Sequence, residues 1–272
     1  MAAFRILKAH AYGNDFLLTP RFPEAWNASR LAARMCHRHH GIGADGVIEY
    51  TIRPAGATMR LWNADGSPSE LSGNGLRCLA ALVARDQQLD PGRTVDVDTD
   101  AGVKRLDLLA VDGSRYSFQA ALGVPTHVRE TTIDVNGERI RATLLGMGNP
   151  QCVVLGPLPG RDRFERLGQA LATHALFPAG TNVEFAHVEA PDQVRILIWE
   201  RGVGPTTSSG TGSSAAAVAA AAHGGAGRRV TVTAPGGAQL VEWREDGVHL
   251  TGWAEIVMDG LWTGGSDDAD LS

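Results

Sequence analysis

Short runs rich in apolar and β-branched residues recur along the chain, separated by turns rich in glycine and aspartate, which is the signature of many short strands. They predict strands at Phe4–Leu7, Gly46–Ile52, Thr58–Trp62, Thr94–Asp98, Tyr116–Gln119, Gln151–Leu155, Asn182–Val188, Val194–Trp199, Val230–Ala234 and Val248–Val257. Helical periodicity replaces the alternation at Arg30–His37 and Phe164–Thr173. Two further helices follow the tetrapeptides Ser72-Gly73-Asn74-Gly75 and Ser209-Gly210-Thr211-Gly212. In the first, Leu76, Leu79, Ala80 and Val83 fall on one face. The second carries Ala215, Ala216, Ala219 and Ala220, which let neighbouring backbone approach closely and mark it as the buried centre of its half.

The same order of elements occurs twice. Trp62-Asn63 precedes Ser72 as Trp199-Glu200 precedes Ser209, and position 72 recurs at position 209, an offset of 137 residues. Tyr12-Gly13-Asn14 matches Met147-Gly148-Asn149, and Gly43-Ala44-Asp45-Gly46-Val47 matches Gly180-Thr181-Asn182-Val183-Glu184. The chain therefore reads as a duplicated α/β unit. The expected division is an N-terminal half over 1–115 joined by the segment 252–263, a C-terminal half over 116–251, and a disordered acidic, glycine-rich tail over 264–272.

Composition narrows the partners. The chain has 272 residues, 43% hydrophobic and 20% charged, as in an ordinary globular protein, and a net charge of −5 gives no reason to expect nucleic acid or an anionic membrane. The longest apolar run, Ala215–Ala222, is far short of a membrane span, and Met1–Leu7 lacks the features of a signal peptide, so the expected location is the cytoplasm. Three scattered cysteines, Cys36, Cys78 and Cys152, form neither a disulfide framework nor a zinc site. Lys8 and Lys104 are the only lysines, and neither sits in a phosphate-binding context, so a pyridoxal-phosphate Schiff base is not expected.

A Gly-x-Gly turn opening a helix leaves backbone N–H groups unpaired at an electropositive helix end, which suits an anion. Two such turns facing each other could hold one carboxylate and stabilise the charge that builds on it when the adjacent Cα–H is removed. Ser72 and Ser209 would then flank the α-carbon, one removing the proton and the other returning it. The plain alternative is that both serines are N-caps.

These residues carry a resemblance. Gly13-Asn14-Asp15-Phe16, Gly41 to Gly46, Asn63 to Ser67, Gly73 to Cys78, Gly148-Asn149-Pro150, Gly180 to Phe185 and Glu200 to Gly204 together resemble the diaminopimelate epimerase family over roughly Phe4 to Trp262. The resemblance implies two pseudo-symmetric domains, each a β-sheet wrapped around a central helix, with the active site in the cleft between them. It implies a two-base epimerase that interconverts LL- and meso-diaminopimelate without pyridoxal phosphate or metal, acting on a small-molecule amino acid, with assembly left between monomer and homodimer. By position, Gly73, Asn74, Gly210 and Thr211 would hold the reacting carboxylate. Asn14, Asn63, Asn149, Asn182, Glu200 and Arg201 would hold the ammonium groups and the distal carboxylate, Arg201 through its bidentate guanidinium and Glu200 as an ammonium partner.

The sequence departs from the family where the chemistry is done. Both catalytic cysteines are replaced, by Ser72 and Ser209. A thiol ionises at about 8.5, whereas an alkyl hydroxyl holds its proton nearly as tightly as bulk water, a gap on the order of 10 kcal/mol, of which a helix N-terminus recovers about 0.3–2 kcal/mol. No histidine is evident beside either serine as a relay. Pro205 stands where the family commonly has glutamate, and Gln151 where it has histidine. Three readings stay open: cysteines exchanged for serines to trap a substrate complex; a natural member using serine, on another amino acid or by elimination; or an amino-acid binder without catalysis. A serine hydrolase is the rival from another class, although it lacks a Gly-x-Ser-x-Gly elbow and gives no reason for two serines.

Two weaker signals carry less. Gly41-Ile42-Gly43-Ala44-Asp45-Gly46 matches a dinucleotide-binding pattern but follows a helix and precedes a strand, the reverse of what that site requires. His37, His39 and His40 beside Cys36 read as a solvated helix end rather than a metal site.

Overall fold

The computed structural model describes residues 4–54, 56–69 and 71–263; the tail expected over 264–272 lies outside the described residues. The chain forms two compact units, one reaching Ala120 and resuming at Trp253, the other spanning Ala121–Gly252.

The first unit contains β1 (Phe4–Ala11), β2 (Asn14–Pro20), α1 (Ala28–Cys36), β3 (Gly46–Arg53), β4 (Gly56–Asn63), β5 (Pro68–Ser69), α2 (Gly73–Asp86), β6 (Thr94–Thr99), β7 (Gly102–Asp112) and β8 (Arg115–Gly123). The second contains β9 (Thr126–Val135), β10 (Glu138–Gly146), β11 (Pro150–Leu155), α3 (Arg161–Ala172), β12 (Asn182–Ala190), β13 (Gln193–Glu200), β14 (Gly204–Thr206), α4 (Gly210–His223), β15 (Arg229–Ala234) and β16 (Gly237–Arg244). The last strand, β17 (Gly247–Trp262), begins in the second unit and ends in the first.

In the first unit the strands close on themselves. β1 pairs with β2, β2 runs parallel to β3, β3 pairs with β4, and β4 runs parallel to β6. β6 pairs with β7 and β7 with β8; β8 then pairs with β17, which returns to β1. A closed sheet has no free edge and must fill its interior. Here α2 fills it, packing against β1, β2, β3, β4, β6 and β7. The sequence pattern predicts one apolar face for this helix, but every residue from Asn74 to Ala84 is buried, because strands surround it. α1 instead packs against β3 and β4 and buries only Leu31, Ala32, Met35 and Cys36, as an amphipathic outer helix does.

The second unit repeats this order. β9, β10, β11, β12, β13, β15, β16 and the start of β17 are successive neighbours, parallel at β11–β12 and β13–β15, the counterparts of β2–β3 and β4–β6. α4 packs against β10, β11, β12, β13, β15 and β16 and is buried from Gly212 to Ala220. The two halves are thus homologous α/β domains, each a sheet wrapped around a central helix. Among the described residues no helix is long and apolar enough to cross a membrane.

Candidate functional site

In the first unit, Ser72 is the N-cap of α2, extended at φ −132° and ψ 122°, and its Oγ accepts the Gly75 N–H at 3.1 Å. Leu76 N–H bonds the Ser72 carbonyl at 2.8 Å, so the N–H groups of Gly73 and Asn74 have no acceptor within the helix. The second glycine is the more closely packed: a Cβ on Gly75 would lie 3.0 Å from Ile48 Cδ1, tighter than an ordinary contact, whereas Gly73 has open space. Asn74 and Asn14 are brought together: Asn74 Nδ2 donates to Asn14 Oδ1 at 3.1 Å, and Asn14 Nδ2 donates to Asp45 Oδ2 at 2.8 Å. Asn63 is held in its own turn, with Nδ2 donating to Ser67 Oγ at 2.9 Å.

In the second unit, Ser209 caps α4 with nearly the same geometry, φ −142° and ψ 127°, and accepts the Gly212 N–H at 3.2 Å. The Ser209 hydroxyl also lies beside the Glu200 carboxyl and holds its pKa down. With its Oγ accepting one backbone N–H, the hydroxyl proton is the group left to meet that carboxylate. Burial pushes the Glu200 carboxyl above its usual value, and the Ser209 hydroxyl partly offsets this. Among the described residues no carboxyl is recorded on Ser72, and the repeat partner of Glu200 in the first unit is Asn63. Asn182 Oδ1 accepts the backbone N–H of Arg201 at 2.9 Å, the Arg201 guanidinium donates to the Ala179 carbonyl at 2.9 Å, and Asn149 Oδ1 accepts Gln151 Nε2 at 2.6 Å. Gly210 and Thr211 open the first turn of α4.

Sequence reading passed over Glu184. Its side chain is fully buried, both carboxyl oxygens lack a hydrogen-bond partner, and Oε1 lies 2.7 Å from where a Cβ on Gly212 would stand. Burial, and then the charge of Glu200, raise its pKa well above the ordinary 4.5. Strand register shows what it replaces. The row Leu7, Leu18, Ile48, Leu61, Ser69 crosses the first sheet, and the row Thr143, Val153, Glu184, Ile198, Thr206 crosses the second. Ile48, not Val47, is therefore the counterpart of Glu184, because Asp45 is an extra residue before β3. An acidic residue inside the buried stretch Asn182–Ala186 was the available signal, hidden by that one-residue slip.

The three cysteines offer no substitute base. All are buried and free, and burial pushes the Cys36 and Cys78 thiols up to about 12. His37 Nδ1 accepts the backbone N–H groups of His39 and His40, tying off the end of α1.

The diaminopimelate epimerase family model matches residues 6–128 and 143–260. A diaminopimelate epimerase from Desulforudis audaxviator is 39% identical over 94% of this chain and 98% of its own length. One from Desulfitobacterium hafniense is 38% identical over 94% and 97%. Among solved structures, the fold is shared with a probable proline racemase from Agrobacterium radiobacter, at a TM-score of 0.70 and 19% identity over 98% of this chain and 94% of that one. It is shared equally with a hydroxyproline epimerase from Agrobacterium vitis, at 0.68 and 18% over 96% and 91%. Matched in both halves and along nearly its whole length, the chain belongs to the diaminopimelate epimerase family and is an isomerase of the cofactor-independent epimerase and racemase kind.

Proposed function

We propose that this protein interconverts LL- and meso-diaminopimelate by moving a proton at the α-carbon, with Ser209 and Ser72 serving opposite faces of that carbon. The placement of the Ser209 hydroxyl, at the N-cap of α4, beside the buried Glu200 carboxyl carries the reading. When the Cα–H bond breaks, its electron pair passes toward the substrate carboxylate and its proton to Ser209 Oγ, while the Ser209 hydroxyl proton passes to Glu200. The serine is then a conduit and Glu200 the base, so on this face the cost of a free alkoxide, on the order of 10 kcal/mol, is not incurred; on the opposite face the Ser72 hydroxyl gives its proton to the α-carbon while taking one from solvent water, and Glu200 returns its own proton to solvent to close the cycle. Charge gathering on the carboxylate is met by the spare N–H groups of Gly73, Asn74, Gly210 and Thr211. Asn63 Oδ1 is an acceptor available for an ammonium, and Arg201 is the cation assigned to the distal carboxylate.

Incubation of LL- and meso-diaminopimelate in D2O tests this. Deuterium should enter Cα with inversion, the exchange should fall in Glu200→Gln and Ser209→Ala, and Ser209→Cys should retain or raise it. Absence of exchange in the wild type, in Ser209→Cys and in the Ser72→Cys/Ser209→Cys double variant would overturn the reading.

Action on another amino acid, or elimination, is the second reading. It is favoured by Gln151, a side chain that cannot carry a proton and is tied to Asn149. Exchange with other amino acids but not diaminopimelate would select it. Ester hydrolysis lost on removal of either serine would favour a hydrolase.

A further inference from the structure

Arg77 sits in α2, one turn past Ser72, with only 3% of its surface exposed. Among the described residues no carboxylate pairs with it and its Nε has no partner. A buried guanidinium without a counter-charge is costly, so what it touches matters. One contact is the face of Tyr12, with Cζ 5.7 Å from the ring centroid. The other is Asn74, whose Oδ1 accepts from Arg77 Nη2.

From Asn74 the hydrogen bonds run on without a break to Asn14 and then to Asp45. The two ends of this chain are chemically one-directional. A guanidinium only donates, so Asn74 must turn its oxygen to Arg77 and its nitrogen to Asn14. A carboxylate only accepts, so Asn14 must turn its nitrogen to Asp45 and its oxygen to Asn74. Asp45 is itself held by Arg38, which also grips Asp15. Each amide oxygen is thereby turned toward a donor inside the protein, and each NH2 group keeps one N–H that the chain does not spend.

We propose that Arg77 is a positioning residue which, with Asp45, locks Asn74 and Asn14 as hydrogen-bond donors, so that this pair recognises a carboxylate of the substrate and not an ammonium. The assignment rests on the amino-acid reading above and refines it, because the resemblance alone leaves Asn14 open to either group. The second unit reaches the same polarity by other means. There Asn182 Oδ1 is taken by the Arg201 backbone N–H, and Asn149 Oδ1 by Gln151. Asp45, the extra residue of the first unit, and Arg77, where the second unit has Ser214, are what make the first unit's version a chain.

The test compares Arg77→Lys, Arg77→Met and Asp45→Asn. In the ligand-free protein, the side-chain NH2 signals of Asn14 and Asn74 in nitrogen-15 NMR should be dispersed and slow to exchange. Arg77→Lys, which keeps a donor, should preserve them. Arg77→Met and Asp45→Asn should collapse them while the fold persists, and should weaken binding of meso-diaminopimelate about 10- to 100-fold, by analogy with the loss when a partner that orients a metal-binding side chain is removed. Asp45 is exposed, so its variant keeps the test open if Arg77→Met fails to fold. Unchanged amide signals and affinity in a folded Arg77→Met or in Asp45→Asn would overturn the proposal. Failure of the wild type to bind diaminopimelate would instead count against the substrate, leaving the amide signals to be read.

Discussion

Glu184 occupies the position in the second unit that Ile48 occupies in the first, and both press on the second glycine of a helix-opening turn, at 2.7 Å and 3.0 Å from the place of a Cβ. One is a carboxyl without a hydrogen-bond partner, the other an alkyl group in an apolar row.

Replacing Glu184 should therefore stabilise the fold, and by an amount that depends on pH. Because burial holds its folded pKa above 4.5, the native state keeps a proton that the unfolded chain releases. Below about 4.5 both states are protonated and the group imposes no pH-dependent cost. As pH rises from there toward the folded value, stability falls. Glu184→Ile and Glu184→Gln should flatten this decline, and Glu184→Ile should gain about 1–3 kcal/mol near neutral pH by removing an orphaned polar group. Urea unfolding at a series of pH values measures it; an unaltered pH dependence would refute the idea.

Glu200→Gln keeps the size and the hydrogen-bonding capacity but cannot accept the proton. Single-turnover exchange of the substrate α-hydrogen should slow about 10²–10⁴-fold, the range of a lost general base. Binding, measured by calorimetry, should change far less. Equal loss in rate and affinity would assign Glu200 to ground-state binding of the ammonium instead.

The acid side of the pH–rate profile should report the same group. Glu200 must be ionised to act, and burial raises its pKa above 4.5, so activity should climb with pH through a midpoint displaced upward from an ordinary glutamate. Ser209→Ala removes the hydroxyl that holds this value down, and carbon-13 titration of the Glu200 carboxyl should show its midpoint moving higher still. A midpoint at the ordinary value in the wild type would contradict the buried setting.

Gly212→Ala would drive a methyl against Glu184 Oε1 and Ser209 Oγ, the latter 3.2 Å from that point. Destabilisation of about 1–3 kcal/mol is expected for such overpacking. Glu184→Ala should relieve most of it, giving a coupling in a double-mutant cycle that two independent sites would not show. Additive effects would mean that the turn moves away from the carboxyl.

The duplicated architecture and both helix-opening turns were legible because glycine and serine at fixed spacing have few other uses. Several strands were not. β2 is buried from Asp15 to Thr19, which erases the alternation a half-exposed strand would show. β9 is polar and largely exposed, so it lacks the apolar run that marks the other strands. The meeting of Ser209 and Glu200 was hidden for a different reason. They lie on separate elements joined through β14, and only the fold makes neighbours of them. Periodicity also overstated the amphipathic character of α2, which has no solvent side to be polar toward.

β17 pairs Trp262 with Phe4, joining the last described strand to the first. During synthesis the first unit is left one stave short until the whole of the second has emerged, while the second, continuous from Ala121 to Gly252, has nearly everything it needs. The later-born half is thus the one able to finish first. The N-terminal half must wait on the ribosome with an open seam, and truncation near the C-terminus would harm the end of the protein made earliest.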